Sequence, residues 1–422
     1  MQGIQRVLWL GLVALLVNGC SDSPTSSDSL EEAAHKQQAA VMQSLEAMVQ
    51  IESGSDDREG VARMADYVES RLRTLGASVT RIKSTTGSAD IIKGTLSGEG
   101  KLRVMLIAHT DTVYAKGILK TEPLHRDGNR LYGPGIADDK GGVAVILHTL
   151  AILKAQGWNN YDRITVLFNP DEEVGSAGSG EVIAREGAEQ DVVLSFEPSP
   201  AKAVAGAEGV LLGAAGTAQA FLTVEGRAAH AGSAPEQGRN ALLELAYQLL
   251  QTEKVADDMK DAQLNWTTAE AGSKRNQIPA HAQAGGDVRI FSEEAGQRLL
   301  KALQKTVSES KQVADTTTRV RLEPGRPPYV AGPKGEALAH KAQAIYKELD
   351  NRKLLLIPHT FGGTDAGYAG RSGKPAVLES LGLAGWGYHA RNEYIEIDSI
   401  VPRLYLASRL LIELGKDYSE AR

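Results

Sequence analysis

The sequence predicts an α/β fold that carries a small inserted α+β domain. Three observations lead there. Apolar strands alternate with amphipathic helices from residue 31 to about residue 213, the pattern of a layered, largely parallel sheet. From about Ala214 the order becomes β-α-β-β-α-β, the ferredoxin-like arrangement. After GRPPY, residues 325–329, the first pattern resumes and runs to the C-terminus. A chain of 422 residues also exceeds one ordinary core, which fits two domains.

The elements follow in order. Arg6 precedes an apolar run, Val7 to Val17, and then Asn18, Gly19 and Cys20. The run is too short to span a bilayer, and residues 1–20 read as an export signal. Its Gly-Cys ending resembles a bacterial lipoprotein signal, in which Cys20 is lipidated and becomes the new N-terminus. A plain secretory signal with an incidental cysteine is the alternative. Either places the protein outside the cytoplasm, periplasmic or lipid-anchored to a bacterial membrane. Cys20 is the single cysteine, so no intrachain disulfide can form. Residues 21–30, beginning SDSPTSSDS, read as a flexible linker.

Helical periodicity covers Glu31 to Ile51 and Arg58 to Leu75, with Gly76 ending the second helix. Strands are predicted at Arg103–Ala108, Ile164–Asn169 and Val192–Phe196, and a helix at Gly141–Gln156. These form the first part of the large domain, residues 31–213. The insert, residues 214–326, reads as strand Phe221–Glu225, helix Ala241–Gln251 and strands Gln263–Glu270 and Ala282–Arg289. Helix Glu294–Ser308 and strand Arg319–Glu323 complete it. Residues 327–422 return to the large domain and end in an amphipathic helix over Val401–Leu414. The net charge of -7 supplies no basic footprint for nucleic acid.

Five stretches place acidic or imidazole side chains at the end of an apolar strand or in a loop. They are HTD (109–111), ADD (137–139), DEE (171–173), FEPS (196–199) and GYH (387–389). Singly, each has an ordinary explanation. His109 could be a satisfied core histidine, Asp138 and Asp139 helix caps, Glu197 a solvated strand end. Together they point to one site, because ligands of open α/β sheets sit beyond the carboxyl ends of the strands. Zinc takes imidazole nitrogen and carboxylate oxygen, and two metals about 3.5–4 Å apart need a bridging carboxylate. Asp111, two residues beyond His109 in an extended segment, lies on the same face and can hold the second ring nitrogen. Glu172 and Glu173 are adjacent and project differently, so one can bind metal while the other handles a proton.

Longer motifs carry a family resemblance. GPGIADDKGG (133–142), the DEE and FEPS stretches, GRAAHAG (226–232), NQIPA (276–280), GGTDAGYA (362–369) and SLGLAGWGYHARNEY (380–394) occur in order over nearly the whole mature chain. They resemble the dinuclear-zinc exopeptidases that include aminoacylase, the dipeptidases and glutamate carboxypeptidase, and most of all the carboxypeptidase G type. The resemblance implies a catalytic domain with an inserted dimerisation domain, a homodimer and two Zn2+ per subunit. Asp138 would bridge the metals, with His109 and Glu197 at one site and Glu173 and His389 at the other. Glu172 would be the general base and Asp111 the residue orienting His109, and the Asp138–Asp139 peptide would be cis. His230 and Asn276 would come from the partner subunit, His230 to stabilise the oxyanion. Arg289 would receive a terminal carboxylate, and Thr360, Gly362 and Gly363 would line the substrate pocket.

The implied reaction is hydrolysis of the amide to a C-terminal residue with a free carboxylate. Glutamate from folates or N-acyl glutamates is the first expectation. Its side chain calls for a lysine near AEGVLL (207–212), where Gly209 stands instead. A dipeptidase or N-acyl amino acid hydrolase remains an alternative. A peptide- or metal-capturing lipoprotein would need no general base, and a dimerisation scaffold would need no metal.

Overall fold

The computed structural model describes residues 27–86 and 89–420. The export signal and Cys20 lie outside the described residues. Six strands form the central sheet, in the order Ser78–Lys83, Asp90–Ser97, Arg163–Asn169, Arg103–His109, Val192–Ser195 and Ala376–Leu378. The last four run parallel, and a hairpin of the first two adds an antiparallel edge. Successive side chains point to opposite faces of a strand, and both faces are covered here. Val104, Leu106 and Ala108 enter the main core, whereas Met105 and Ile107 enter a second one on the other face. The central strands therefore read as continuous apolar runs. The edge strand Ser78–Lys83 has a largely exposed, polar sequence, which is why its pattern carries no strand signal.

On the main-core side, helices Ser27–Val49, Lys140–Ala155 and Ile400–Glu420 pack together. The first begins where the sequence predicts linker, so residues 27–30 are helical rather than tether. The reason is the apolar stripe Leu30, Ala34, Val41, Leu45, Met48, whose helical spacing starts at Leu30, 1% exposed.

The segment Gly216–Pro324 makes its own four-stranded antiparallel sheet, in the order Ala262–Ala271, His281–Ile290, Gly216–Glu225, Thr317–Pro324. Helices Ala241–Thr252 and Glu293–Glu309 cover it around a separate core built on Leu222, Leu245, Val288 and Leu299. This is the ferredoxin-like pattern. The chain enters and leaves it side by side, since Gly213 and Ala214 pair with Val330 and Tyr329.

Candidate active site

Parallel strands bring several candidates to one rim. His109 ends its strand, Asn169 ends the neighbouring strand just before Asp171–Glu173, and Ser195 ends the next just before Phe196–Glu197. Asp138 comes from the turn before helix Lys140–Ala155. There Asp139 is the N-cap, accepting from the Gly142 N–H at 3.0 Å. Capping thus occupies Asp139 and leaves Asp138 free to face the imidazoles. The Asp138–Asp139 peptide is cis. His389 sits in the hairpin between Ala384–Trp386 and Tyr394–Glu396, with a left-handed φ of 61°, a conformation uncommon outside glycine.

Two groups of three ligand-type side chains form here and share Asp138. The first is His109, Asp138 and Glu197, and the second Asp138, Glu173 and His389, with the ligand atoms of each within 4.8 Å of one another. Asp138 Oδ1 lies 2.9 Å from His109 Nε2, and its Oδ2 lies 3.3 Å from His389 Nε2. One carboxylate therefore turns its two oxygens toward two imidazoles. Glu197 Oε1 is 3.8 Å from His109 Nε2, and Glu173 Oε2 is 3.0 Å from His389 Nε2. His109 Nδ1 faces the Asp111 carbonyl at 3.0 Å and the Asp111 carboxylate at 3.3 Å. A proton on Nδ1 satisfies both and turns the Nε2 lone pair toward the carboxylates. Asp111 also accepts from Ser55 Oγ and from the backbone N–H groups of Glu172 and Glu173, so it fixes the Glu172–Glu173 loop as well as the ring.

The electrostatics fit a bound cation. Burial pushes Glu197 and Asp139 well above the usual carboxylate range and Glu172 up to about 8. Hydrogen bonds to Asp138 and Glu173 push His389 up to about 10. Burial alone would raise Asp138 as well, yet the facing imidazoles of His109 and His389 hold it below its ordinary value. Added positive charge would let these crowded carboxyl groups ionise. Imidazole nitrogens mixed with carboxylate oxygens are the donor set of zinc.

Around this cluster opens a cleft of about 690 Å3. Asp138, Glu172, Glu173, Glu197 and His389 line it, as do Arg289, Thr360, Gly362 and Gly363. Arg289 reaches the Phe361 carbonyl with Nη1 at 3.5 Å and Asp287 with Nε at 2.8 Å. His230 and Asn276 are elsewhere. They sit together on the exposed ribbon in which His230 pairs with Gln277 and Ala231 N–H donates to the Asn276 carbonyl at 2.9 Å. His230 Nδ1 accepts from the N–H groups of Gly232 and Ser233, both at 3.1 Å, which leaves Nε2 as a donor.

Two neighbours of the cluster escaped the sequence reading. Arg326, 6% exposed, pairs through Nη1 with Glu172 Oε1 at 2.5 Å. It lies inside GRPPY, where the sequence marks the end of the insert. Glu393 accepts from the N–H groups of Gly135, Ala137 and Asp138 at 2.8–3.0 Å and from Tyr114 Oη at 2.7 Å. Its place in RNEY, four residues beyond His389, was the available signal.

The fold and this cluster define a class, and comparison with known proteins agrees with it. Residues 105–413 match Peptidase family M20/M25/M40, and the chain belongs to that family. Among individual relatives, it is 44% identical over 406 residues to carboxypeptidase G2 of Pseudomonas sp. (strain RS-16), covering 96% of each chain. Solved structures share the fold at lower identity. The aminopeptidase PepT of Bacillus cereus aligns with a TM-score of 0.72 at 19% identity, covering 89% of this chain and 98% of that one. An M20 family metallo-carboxypeptidase of Sulfolobus solfataricus aligns at 0.69 and 17% identity, covering 89% and 99%.

Proposed function

We propose that the protein is a metallo-carboxypeptidase that hydrolyses the amide bond to a C-terminal residue bearing a free carboxylate. The observation that carries this is the pair of ligand groups sharing Asp138, with Glu172 beside them in the same cleft. Two zinc ions per subunit suit the donor set, His109 and Glu197 holding one, Glu173 and His389 the other, and Asp138 both. When bound, they supply Lewis acidity to the scissile carbonyl and acidify the attacking water.

The chain's own groups do the rest. Glu172, raised to about 8 by burial and opposed by Arg326, is poised near neutral pH, where a general base is most useful. It takes a proton from the attacking water and passes it to the nitrogen of the leaving amine. Arg289 holds the terminal carboxylate through its guanidinium fork, and Thr360, Gly362 and Gly363 form the wall beside it. His230 and Asn276 lie away from the cleft of their own chain, and we assign them to the partner's site in a homodimer, where His230 Nε2 donates to the developing oxyanion. Export by the N-terminal segment, with a lipid anchor at Cys20, belongs to the same reading. Fractionation of the full chain beside Cys20→Ser checks the anchor, which predicts movement from membrane to soluble fraction.

Hydrolysis by the zinc-reconstituted protein beside Glu172→Ala tests the chemistry. The variant should lose about 10²–10⁴-fold in kcat while still binding substrate. Undiminished turnover in the variant would remove the general base from the account, and a peptide-capturing protein would show no turnover in either.

A further inference from the structure

The cleft has a side-chain wall whose chemistry is specific. Strands Gly209–Leu211 and Leu355–Ile357 pair in parallel, Gly209 with Leu355 and Leu211 with Ile357. Gly209 and Leu211 point to one face, and Leu211 and Ile357 line the cleft. A Cβ on Gly209 would meet Ile357 Cδ1 at 2.7 Å, so the isoleucine covers the space that residue 209 leaves empty. Phe361 and Trp386, each 44% exposed, also line the cleft. Phe361 is buttressed edge-on by Phe291, with ring centroids 5.2 Å apart, and Phe291 in turn packs on His359 at 4.9 Å.

This wall stands beside Arg289, whose Nη1 reaches the Phe361 carbonyl at 3.5 Å. Arg289 and the apolar side chains of Phe361, Ile357 and Leu211 thus line the same cleft. Among the described residues of one chain that line the cleft, no lysine and no further unpaired arginine faces a second negative charge. Arg326 faces Glu172 and Asp365, His389 faces Asp138 and Glu173, and His359 presents its ring to Phe291. The other charged lining groups are carboxylates, Glu379 among them.

We propose that the residue released is bulky and apolar, with phenylalanine, leucine and their like preferred over acidic residues. An apolar side chain gains burial against this wall, whereas a carboxylate would lose water there without a partner. The inference rests on the carboxypeptidase reading above and narrows it. The glutamate expectation drawn from the family resemblance becomes the opposing arm of the test.

The test measures kcat/KM of the zinc-loaded full chain on N-benzoylglycyl substrates ending in phenylalanine, leucine, glutamate or lysine, with the phenylalanine amide as control. The expected result is that phenylalanine and leucine exceed glutamate by at least about tenfold. Glutamate equal or better overturns the inference and leaves the carboxypeptidase reading standing. No cleavage of any acid, or equal cleavage of the amide, overturns that reading and this inference with it. Two variants localise the effect. Ile357→Lys should shift the ratio toward glutamate, and Phe361→Ala, at an exposed position, should lower the phenylalanine rate severalfold more than the glutamate rate. A ratio unchanged in the folded Phe361→Ala protein overturns the assignment of the wall.

Discussion

At the scale of single residues, the cluster is arranged by groups that belong to neither ligand set. Glu393 is the plainest case. Its carboxylate gathers three backbone N–H groups from Gly135, Ala137 and Asp138 and the Tyr114 hydroxyl, so it sets the loop that aims Asp138. A carboxylate accepts at both oxygens, whereas an amide accepts at one. Glu393→Gln should therefore weaken zinc binding by about 10–100-fold with the thermal midpoint little changed. Zinc titration against a competing chelator measures it, and unaltered affinity would contradict the positioning role. The cluster itself was legible in the sequence because strand order is simple: an apolar run ending in His109 or running on to Glu197 announces a strand end. Arg326 and Glu393 are not, because neither stands at the end of an apolar run and the partners that give them their roles are 154 and 255 or more positions away.

At the scale of elements, periodicity placed helices Arg58–Leu75 and Lys140–Ala155 and strands Arg103–His109, Arg163–Asn169 and Val192–Ser195 to within about a residue, since burial on one or both faces writes itself into the sequence, but it gave no helix at Gly180–Ala188 or Gly332–Glu348 and no strand at Ala376–Leu378. It missed the hairpin Ser78–Lys83 with Asp90–Ser97, whose edge strand is exposed, and it started the first helix late. It also read the C-terminal helix as amphipathic, although Arg403 on it is fully buried. Arg403 donates to Glu208 at 3.0 Å, to the Ser380 and Gly209 carbonyls at 3.1 Å and to Ser199 Oγ. It thereby ties the helix to the strand Gly209–Leu211 that walls the cleft. Removing one partner of a buried ion pair strands the other. Arg403→Ala should cost about 3 kcal/mol or more in urea unfolding, and a loss under about 1 kcal/mol, the scale of an exposed pair, would show that the network does not anchor the helix.

At the scale of the whole molecule, the proposed homodimer would carry His230 and Asn276 of the ferredoxin-like insert to the partner's site. They lie on an exposed ribbon of the insert, while Glu172 lies in the cleft. If each subunit lends its ribbon to the other, two dead variants can repair one another. Glu172→Ala and His230→Ala, unfolded and refolded together, should recover about one quarter of wild-type activity, because half the dimers are mixed and each mixed dimer holds one complete site. Each variant alone should stay inactive. No recovery in verified mixed dimers would place His230 in its own subunit's site, and an active His230→Ala protein would place it outside catalysis. The sequence indicated this arrangement only through the family resemblance, since a contact between two copies leaves no spacing to read along one chain.

The central claim is that Asp138 joins two metal sites, and zinc content tests it most directly. Zinc-reconstituted wild type, freed of excess metal, should retain two zinc ions per chain, and Asp138→Ala, which removes the shared ligand, should retain fewer than one and lose hydrolysis. Wild type retaining no zinc, or Asp138→Ala retaining two with full activity, would contradict the account.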